Sequence, residues 1–307
     1  MQIPEGFPPV IFPEGNEYTF QRWSLGKRLF YDPIMSRQNT VSCASCHIAQ
    51  NAFSDTLSLS KGDNDVLGKS NAPTLTNIGY HPYYTRAGGV ATLEMQILVP
   101  IQEHDEFNTN ILDIVERLNN IPSYVEQSMA AYGRKPDAFV ITRAISNFER
   151  SLISGNSSYD QFQFQGKANA LNAAEQRGKD LFFSSKTNCS QCHSGFNFTN
   201  YSFEHNGIPT NNLDSGRMRL TKEEKDRGKF KVPTLRNIML TAPYMHDGRF
   251  KTLEEVIENY NNGGVFHINK STLIKPLGLS IIEQQELIAF LKTLTDQTFI
   301  NNQNFKK

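Results

Sequence analysis

Charge of neither sign is in excess in this chain: 31 Lys and Arg stand against 31 Asp and Glu, and the pI is about 7.1. A neutral chain offers no strong field to nucleic acid or to an anionic membrane. No apolar run approaches the ~20 residues that cross a bilayer, which excludes a membrane span of helical type. No basic-then-apolar leader precedes Gln2, so the chain reads as a mature or trimmed form with an added Met1. Long alternating patterns of the strand type are absent as well. Apolar residues make up 38% of 307 positions, modest for a chain long enough for two domains, so part of the core volume has to come from something other than side chains. Tryptophan occurs once, at Trp23, and reads as a packing residue. Cysteine occurs four times, too few for a disulfide-stapled scaffold.

Those four cysteines all fall in two short strings, Cys43-Ala44-Ser45-Cys46-His47 and Cys189-Ser190-Gln191-Cys192-His193, 146 positions apart. Each has the C-x-x-C-H spacing that attaches haem, two thiols adding to the vinyl groups and the next histidine binding iron. Local disulfides, or a zinc site built from four thiols, would leave both histidines unexplained. The strings therefore imply two covalently bound haem c groups, with His47 and His193 as iron ligands. Because c-type haem is attached outside the cytoplasm, they also imply an exported, periplasmic protein.

The surroundings of the two strings echo each other. Gly26-Lys27-Arg28-Leu29-Phe30-Tyr31 precedes the first and Gly178-Lys179-Asp180-Leu181-Phe182-Phe183 the second. Pro73-Thr74-Leu75-Thr76-Asn77-Ile78 is matched by Pro233-Thr234-Leu235-Arg236-Asn237-Ile238, Pro82-Tyr83-Tyr84 by Pro243-Tyr244-Met245, and Thr92-Leu93-Glu94 by Thr252-Leu253-Glu254. Four blocks in one order argue for duplication. Between them, Ile141, Ala144, Ile145, Phe148 and Leu152 keep helical spacing with Gly155 near the stop, and Asn172/Glu175 and Ser280/Glu283 form N-cap and N3 pairs. Residues 54–72 and 194–231 are polar and glycine-bearing, and read as loops over the haem edges. The fold expected is mainly α: two cytochrome c-like domains related by internal duplication, each with one covalent haem c, residues 1–160 and 161–307, with the boundary near 155–170.

Thr92-Leu93-Glu94 against Thr252-Leu253-Glu254 fixes an offset of 160 residues, which sets Tyr260 opposite Pro100. Proline has no donor atom for iron, whereas a tyrosine phenolate binds ferric haem. One iron is then closed and the other open to a small oxidant.

At this point the chain resembles the bacterial di-haem cytochrome c peroxidases, including the MauG-like branch. The motifs that carry the resemblance are Leu25-Gly26-Lys27-Arg28-Leu29-Phe30-Tyr31-Asp32-Pro33, Ser42 to His47, Ala52-Phe53-Ser54-Asp55, Val232-Pro233-Thr234-Leu235-Arg236-Asn237 and Thr241-Ala242-Pro243-Tyr244-Met245-His246-Asp247-Gly248. It covers nearly all of residues 20–295. The resemblance implies that Gln96 and Glu106, ten residues apart with Pro100 between them, line the distal side of the first haem. There Glu106 would take a proton from bound peroxide and return it to the leaving oxygen. It implies one calcium ion held by Asn77 and the backbone carbonyls of Thr241 and Pro243, a ligation by oxygen that suits calcium. It places His246 in the second pocket, bonding a propionate. Its partners would be hydrogen peroxide and a small periplasmic electron donor, a cytochrome c or a cupredoxin, with a homodimer as the assembly.

Three departures stand out. The family's loop histidine, which shuts the first haem, would fall just before Asn71-Ala72-Pro73, where Gly68-Lys69-Ser70 stands; no histidine lies between His47 and His81, and His81 and His104 are the nearby substitutes. Tyr260 stands where many peroxidases have methionine and the MauG-like branch has tyrosine; Met245 and Met239 are the alternative sixth ligands. The family's Phe-Trp-Asp-Gly, whose tryptophan lies between the haems, is replaced by Tyr83-Tyr84-Thr85 and an altered Arg86-Ala87-Gly88-Gly89. The expectation is reduction of hydrogen peroxide at the first haem with electrons passed through the second. A MauG-like oxidase acting on a partner protein and a non-enzymatic di-haem electron carrier are the rivals.

Overall fold

The structure is a computed structural model that describes residues 2–209 and 214–307. Met1 and residues 210–213, part of the loop expected over 194–231, lie outside the described residues. The remainder is helical with long irregular connections. In chain order the helices are α1 (Phe20–Tyr31), α2 (Cys43–Cys46), α3 (Leu93–Gln96), α4 (Leu98–Gln102), α5 (Ile111–Asn119), α6 (Pro122–Tyr132), α7 (Ala138–Arg150), α8 (Ser158–Gln163), α9 (Ala173–Phe182), α10 (Cys189–Cys192), α11 (Met218–Thr221), α12 (Leu253–Asn261), α13 (Ile281–Lys292) and α14 (Gln297–Ile300). Among the described residues the only sheet is a two-residue antiparallel ladder of β1 (Phe203–Glu204) and β2 (Phe230–Lys231).

Local sequence explains the main helix ends. Asn172 and Glu175 cap α9 reciprocally, Ser280 and Glu283 cap α13, and Thr252 and Glu255 cap α12, each pair satisfying two otherwise orphaned N–H groups. The helix expected through Leu152 ends earlier, at Arg150, because Ser151 caps it.

Two hydrophobic cores form, and each is centred on one helix crossing. In the first, α1 lies on α7 at Gly26, where a Cβ would come 1.8 Å from the carbonyl oxygen of Ala144. In the second, α9 lies on α13 at Gly178, where a Cβ would come 1.9 Å from the carbonyl oxygen of Glu286. Only glycine lets the backbones approach this closely. The partition between cores is not a single cut. Tyr159 already packs in the second core, while Phe299, with Ile300 and Phe305 beside it, returns to the first. There Phe299 meets Phe53 at 5.8 Å between ring centroids, and the Tyr31 hydroxyl donates to the carbonyl of Phe305.

Buried polar residues knit the cores together. Asn77 and Asn237 both sit in left-handed backbone, at φ 58°. The Asn77 carboxamide oxygen accepts from Ser154 N–H (2.8 Å) and that of Asn237 from Asp296 N–H (2.8 Å). The Asp296 carboxylate in turn accepts from the N–H groups of Gly155 and Asn156 (2.9 Å each). Arg236, fully buried, makes a two-pronged pair with Asp160 (2.8 Å on each prong) and stacks over Phe7. A buried pair with both oxygens and both nitrogens matched is one of the few ways to keep such a charge in a core.

Candidate functional site: two haem-attachment pockets

Each C-x-x-C string forms a single helical turn, α2 or α10, which sets its two thiols three residues apart on one side. The following histidine leaves the helix as its cap, at φ −117°, ψ 76° for His47 and φ −97°, ψ 69° for His193. No disulfide joins the thiols. His47 Nδ1 faces the carbonyl oxygen of Phe53 (2.9 Å), and His193 Nδ1 faces those of Phe198 (3.1 Å) and Pro233 (3.2 Å). Carbonyls only accept, so each Nδ1 carries the proton and each Nε2 keeps its lone pair, the tautomer of an iron ligand. Burial pushes both imidazoles below their ordinary pKa and keeps them neutral.

Both carbonyl-bearing phenylalanines hold left-handed backbone, Phe53 at φ 59° and Phe198 at φ 50°. That conformation is costly for a bulky residue and is held by the surroundings. In the first half Thr74 Oγ1 donates to the Ala52 carbonyl (2.5 Å), and in the second Thr234 Oγ1 donates to that of Asn197 (2.7 Å). The threonine of each Pro-Thr-Leu block thus pins the turn that aims the histidine.

On the far side of the first pocket, Glu94 ties α3 to α7 through Arg150 (2.6 and 3.0 Å), and α3 ends at Gln96. The Gln96 Oε1 atom is buried without a hydrogen-bond partner. Glu106 follows α4, and its charge raises both Cys43 and Cys46, so it lies within electrostatic reach of the attachment thiols. The surrounding protein, then Asp105 and Glu103, push its carboxyl up to about 7 against Lys69, which pairs with Asp105 (3.2 Å). Gly62 packs against the carbonyls of Asp105 and Glu106 so closely that a Cβ would come 2.2 Å from the former, which fixes the Glu106 backbone against the 60–68 loop. Lys69 thus stands where the family's loop histidine was expected. His104 is exposed, and His81 Nδ1 accepts from Lys231 Nζ (3.1 Å).

In the second pocket Tyr260 lies near the end of α12, where the charges of Cys189 and Cys192 act on it and burial pushes its hydroxyl up to about 12. Met245 turns its sulfur to the Asn206 Nδ2 (3.3 Å), and the same carboxamide lies within reach of the Tyr260 hydroxyl. Met239, at 43% exposure, is on the surface. His246 is buried and stacked on Phe230 at 4.3 Å. Asn77 commits its carboxamide to Ser154 and, through Nδ2, to Asn197 (3.0 Å). Among the described residues the carbonyl oxygens of Thr241 and Pro243 accept no hydrogen bond.

Two imidazoles in ligand tautomer, four unpaired thiols on single turns beside them and an orphaned Gln96 oxygen fit a haem c in each half. Sequence reasoning missed Arg86, Lys231 and Asn206. The signal for the first two was available: at the offset of 160, Arg86 stands opposite His246 and Lys231 opposite Asn71.

Comparison with known proteins decides the family. Residues 21–169 match the model of the di-haem cytochrome c peroxidases. The methylamine utilization protein MauG of Methylorubrum extorquens is 35% identical over 95% of this chain and 82% of its own length. The chain belongs to the di-haem cytochrome c peroxidase family. Within it, the cytochrome c551 peroxidase of Nitrosomonas europaea is 36% identical over 88% of this chain and 79% of its own. Among solved structures, a MauG-like protein associated with microbial copper homeostasis superposes with a TM-score of 0.94 at 35% identity, covering 99% of this chain and 97% of that one. A member of this family is an oxidoreductase, and the family carries two haem c groups. Its named relatives include both peroxidases and MauG proteins, and no helix among the described residues is long and apolar enough to cross a membrane.

Proposed function

We propose that the protein is a periplasmic peroxidase that reduces hydrogen peroxide to two waters, using two protons and two electrons from a small donor protein, a cytochrome c or a cupredoxin. The observation that carries the reading is Glu106: a carboxyl poised at about 7 whose charge reaches the thiols of the first attachment turn, in the half where a buried Gln96 oxygen has nothing to bind. Bound haem would supply an iron that takes peroxide in the first half and a relay for single electrons in the second. His47 and His193 would hold the irons from below, with Cys43, Cys46, Cys189 and Cys192 as covalent anchors. The Glu106 carboxylate takes a proton from the inner oxygen of peroxide and delivers it to the outer one, which leaves as water. Gln96 orients the peroxide for that transfer. Tyr260 would serve as a further ligand to the second haem's iron, and His246 would bond a propionate of that haem. The two halves, divided near residue 160, descend from one duplicated unit, as their matched helix crossings and histidine carbonyls suggest. Thr241 and Pro243 keep free carbonyls and Asn77 keeps one lone pair, which suits one calcium ion.

A second reading, a MauG-like oxidase of a partner protein, is favoured by Tyr260 beside Cys189 and Cys192. Turnover decides. Reduced cytochrome c should be oxidised by peroxide in the presence of the protein, and Glu106→Gln should lose that turnover by about 10²- to 10⁴-fold. Turnover equal to wild type would remove Glu106 from the mechanism. Absence of turnover with any small donor would leave the oxidase reading in its place. Stopped-flow mixing of the fully oxidised protein with peroxide should give an immediate spectral change, and a reaction that waits for prior reduction would sink the open first site.

A further inference from the structure

The halves meet through a reciprocal exchange. Asn71 of the first half donates its N–H to the carbonyl of His246 (2.9 Å), and Lys231 of the second donates its N–H to the carbonyl of Arg86 (2.8 Å). Each donor stands opposite the other at the offset of 160, and so does each acceptor. The exchange gathers Arg86, Lys231 and His246 on one seam. Arg86 is close enough to His47, His246 and Lys231 to lower the proton affinity of all three.

Two of these groups are cations without an anion. Arg86 gives Nε and Nη2 to the Asn71 carbonyl (3.0 and 2.6 Å) and Nη2 again to Asn71 Oδ1 (3.1 Å). Lys231 gives Nζ to the Tyr83 carbonyl (2.8 Å) and to His81 Nδ1 (3.1 Å). No carboxylate among the described residues lies within ion-pair distance of either; Asp214 and Asp247 act on Arg86 only from farther off. Burial pushes Arg86 down to about 10 and Lys231 down to about 8. Donors also outnumber acceptors around them. Since Lys231 donates to Nδ1, His81 carries its own proton on Nε2, which is buried and unpartnered. His205, which accepts from Gly207 N–H at Nδ1 (3.1 Å), likewise presents an unpartnered buried Nε2–H, and it acts electrostatically on the His246 side. A half-buried guanidinium and ammonium left with neutral acceptors alone are unfavourable. An anion rich in oxygen completes such a seam, and haem brings its own in two propionates.

We propose that Arg86 and Lys231 clamp the propionates of the haem held at His47, and that their fixed positive charge makes this haem the better electron acceptor of the two. The inference rests on the reading that each half holds one haem. A positive charge near a haem favours the reduced iron, which carries one charge less, and does so more strongly where water is excluded. In the second pocket a tyrosine oxygen favours the oxidised iron. Electrons arriving at the second haem then run toward the first, where peroxide is consumed.

The test is a spectroelectrochemical titration of the holoprotein without peroxide. Wild type should show two waves. In Arg86→Gln and in Lys231→Gln the higher wave should move down toward the lower one, which keeps its place, and the double variant should move it further. Arg86→Lys, which retains the charge, should stay close to wild type. A single potential for both haems in wild type, a higher wave unmoved in both glutamine variants, or a movement of the lower wave or of both together, overturns the proposal. Haem content of the wild type separates the two readings. Fewer than two haems per chain counts against the haem assignment beneath it, whereas two haems with unmoved potentials counts against the clamp alone.

Discussion

Glu106 and Glu149 are both carboxyls held above their ordinary range, and their surroundings give them different consequences. Glu106 opens toward the first pocket, where a proton acceptor poised at about 7 matches the proton it has to move. The rate of reaction with peroxide should therefore rise as pH passes upward through about 7 and level off above it; a profile flat across that range would exclude Glu106 as the acceptor. Glu149 is buried in α7 beside Cys43, and burial, with Glu94 adding to it and Arg150 opposing, pushes it up to about 8. Its folded-state pKa exceeds the unfolded one, so the folded state holds the proton more tightly. The resulting stability is complete below the unfolded pKa of 4.5 and is lost as pH rises through about 8. Denaturation midpoints should fall across that window, and Glu149→Gln should remove part of the fall. Midpoints of the variant that still track wild type would show that Glu149 does not titrate there. The attachment turns were legible because C-x-x-C-H fixes thiols and imidazole within one turn. Glu149 was not, since a carboxyl in an amphipathic pattern gives no sign of which way its turn faces.

At the scale of elements, the two helix crossings depend on one missing atom each. Gly26→Ala sets a methyl against the Ala144 carbonyl of α7, and Gly178→Ala sets one against the Glu286 carbonyl of α13. Neither obstacle is the flexible end of a side chain, so the helices have to separate. Each substitution should lower stability by about 1–3 kcal/mol or more, read as an earlier urea midpoint; a midpoint equal to wild type would mean the crossing is looser than drawn. The helices themselves followed from local chemistry. Asn172, Ser280 and their partners three residues on cap α9 and α13 as the sequence suggests, because a capping box acts within four residues. What the sequence could not show was which helices cross. The glycines announced only a turn of small size, and their role appears once Ala144 and Glu286, more than a hundred residues away, are in place. The placing of Tyr260 and Met239 had the same limit: spacing alone does not say that Met239 ends up on the surface while Tyr260 lies within electrostatic reach of Cys189 and Cys192.

At the scale of the whole molecule, the mutual dependence of the two cores was not readable in the sequence. The seam of Asn77, Asn237, Asp296 and Ser154 joins residues drawn from four distant stretches, and the tail after Leu294 leaves the second unit to finish the first. Phe299→Ala should accordingly loosen the N-terminal half although it lies near the other end of the chain. Losing a buried phenylalanine costs about 3–5 kcal/mol, and the effect should show as increased amide exchange around Phe30 and Phe53 with the Phe182–Phe290 contact left protected. Exchange raised only in the C-terminal half would contradict it. The same packing has a temporal side. Phe53 is synthesised well before Phe299, so the first core lacks one of its buried rings until synthesis has passed residue 299. Until then Phe53, whose carbonyl faces His47 Nδ1, lacks one of the rings that hold its left-handed turn in place.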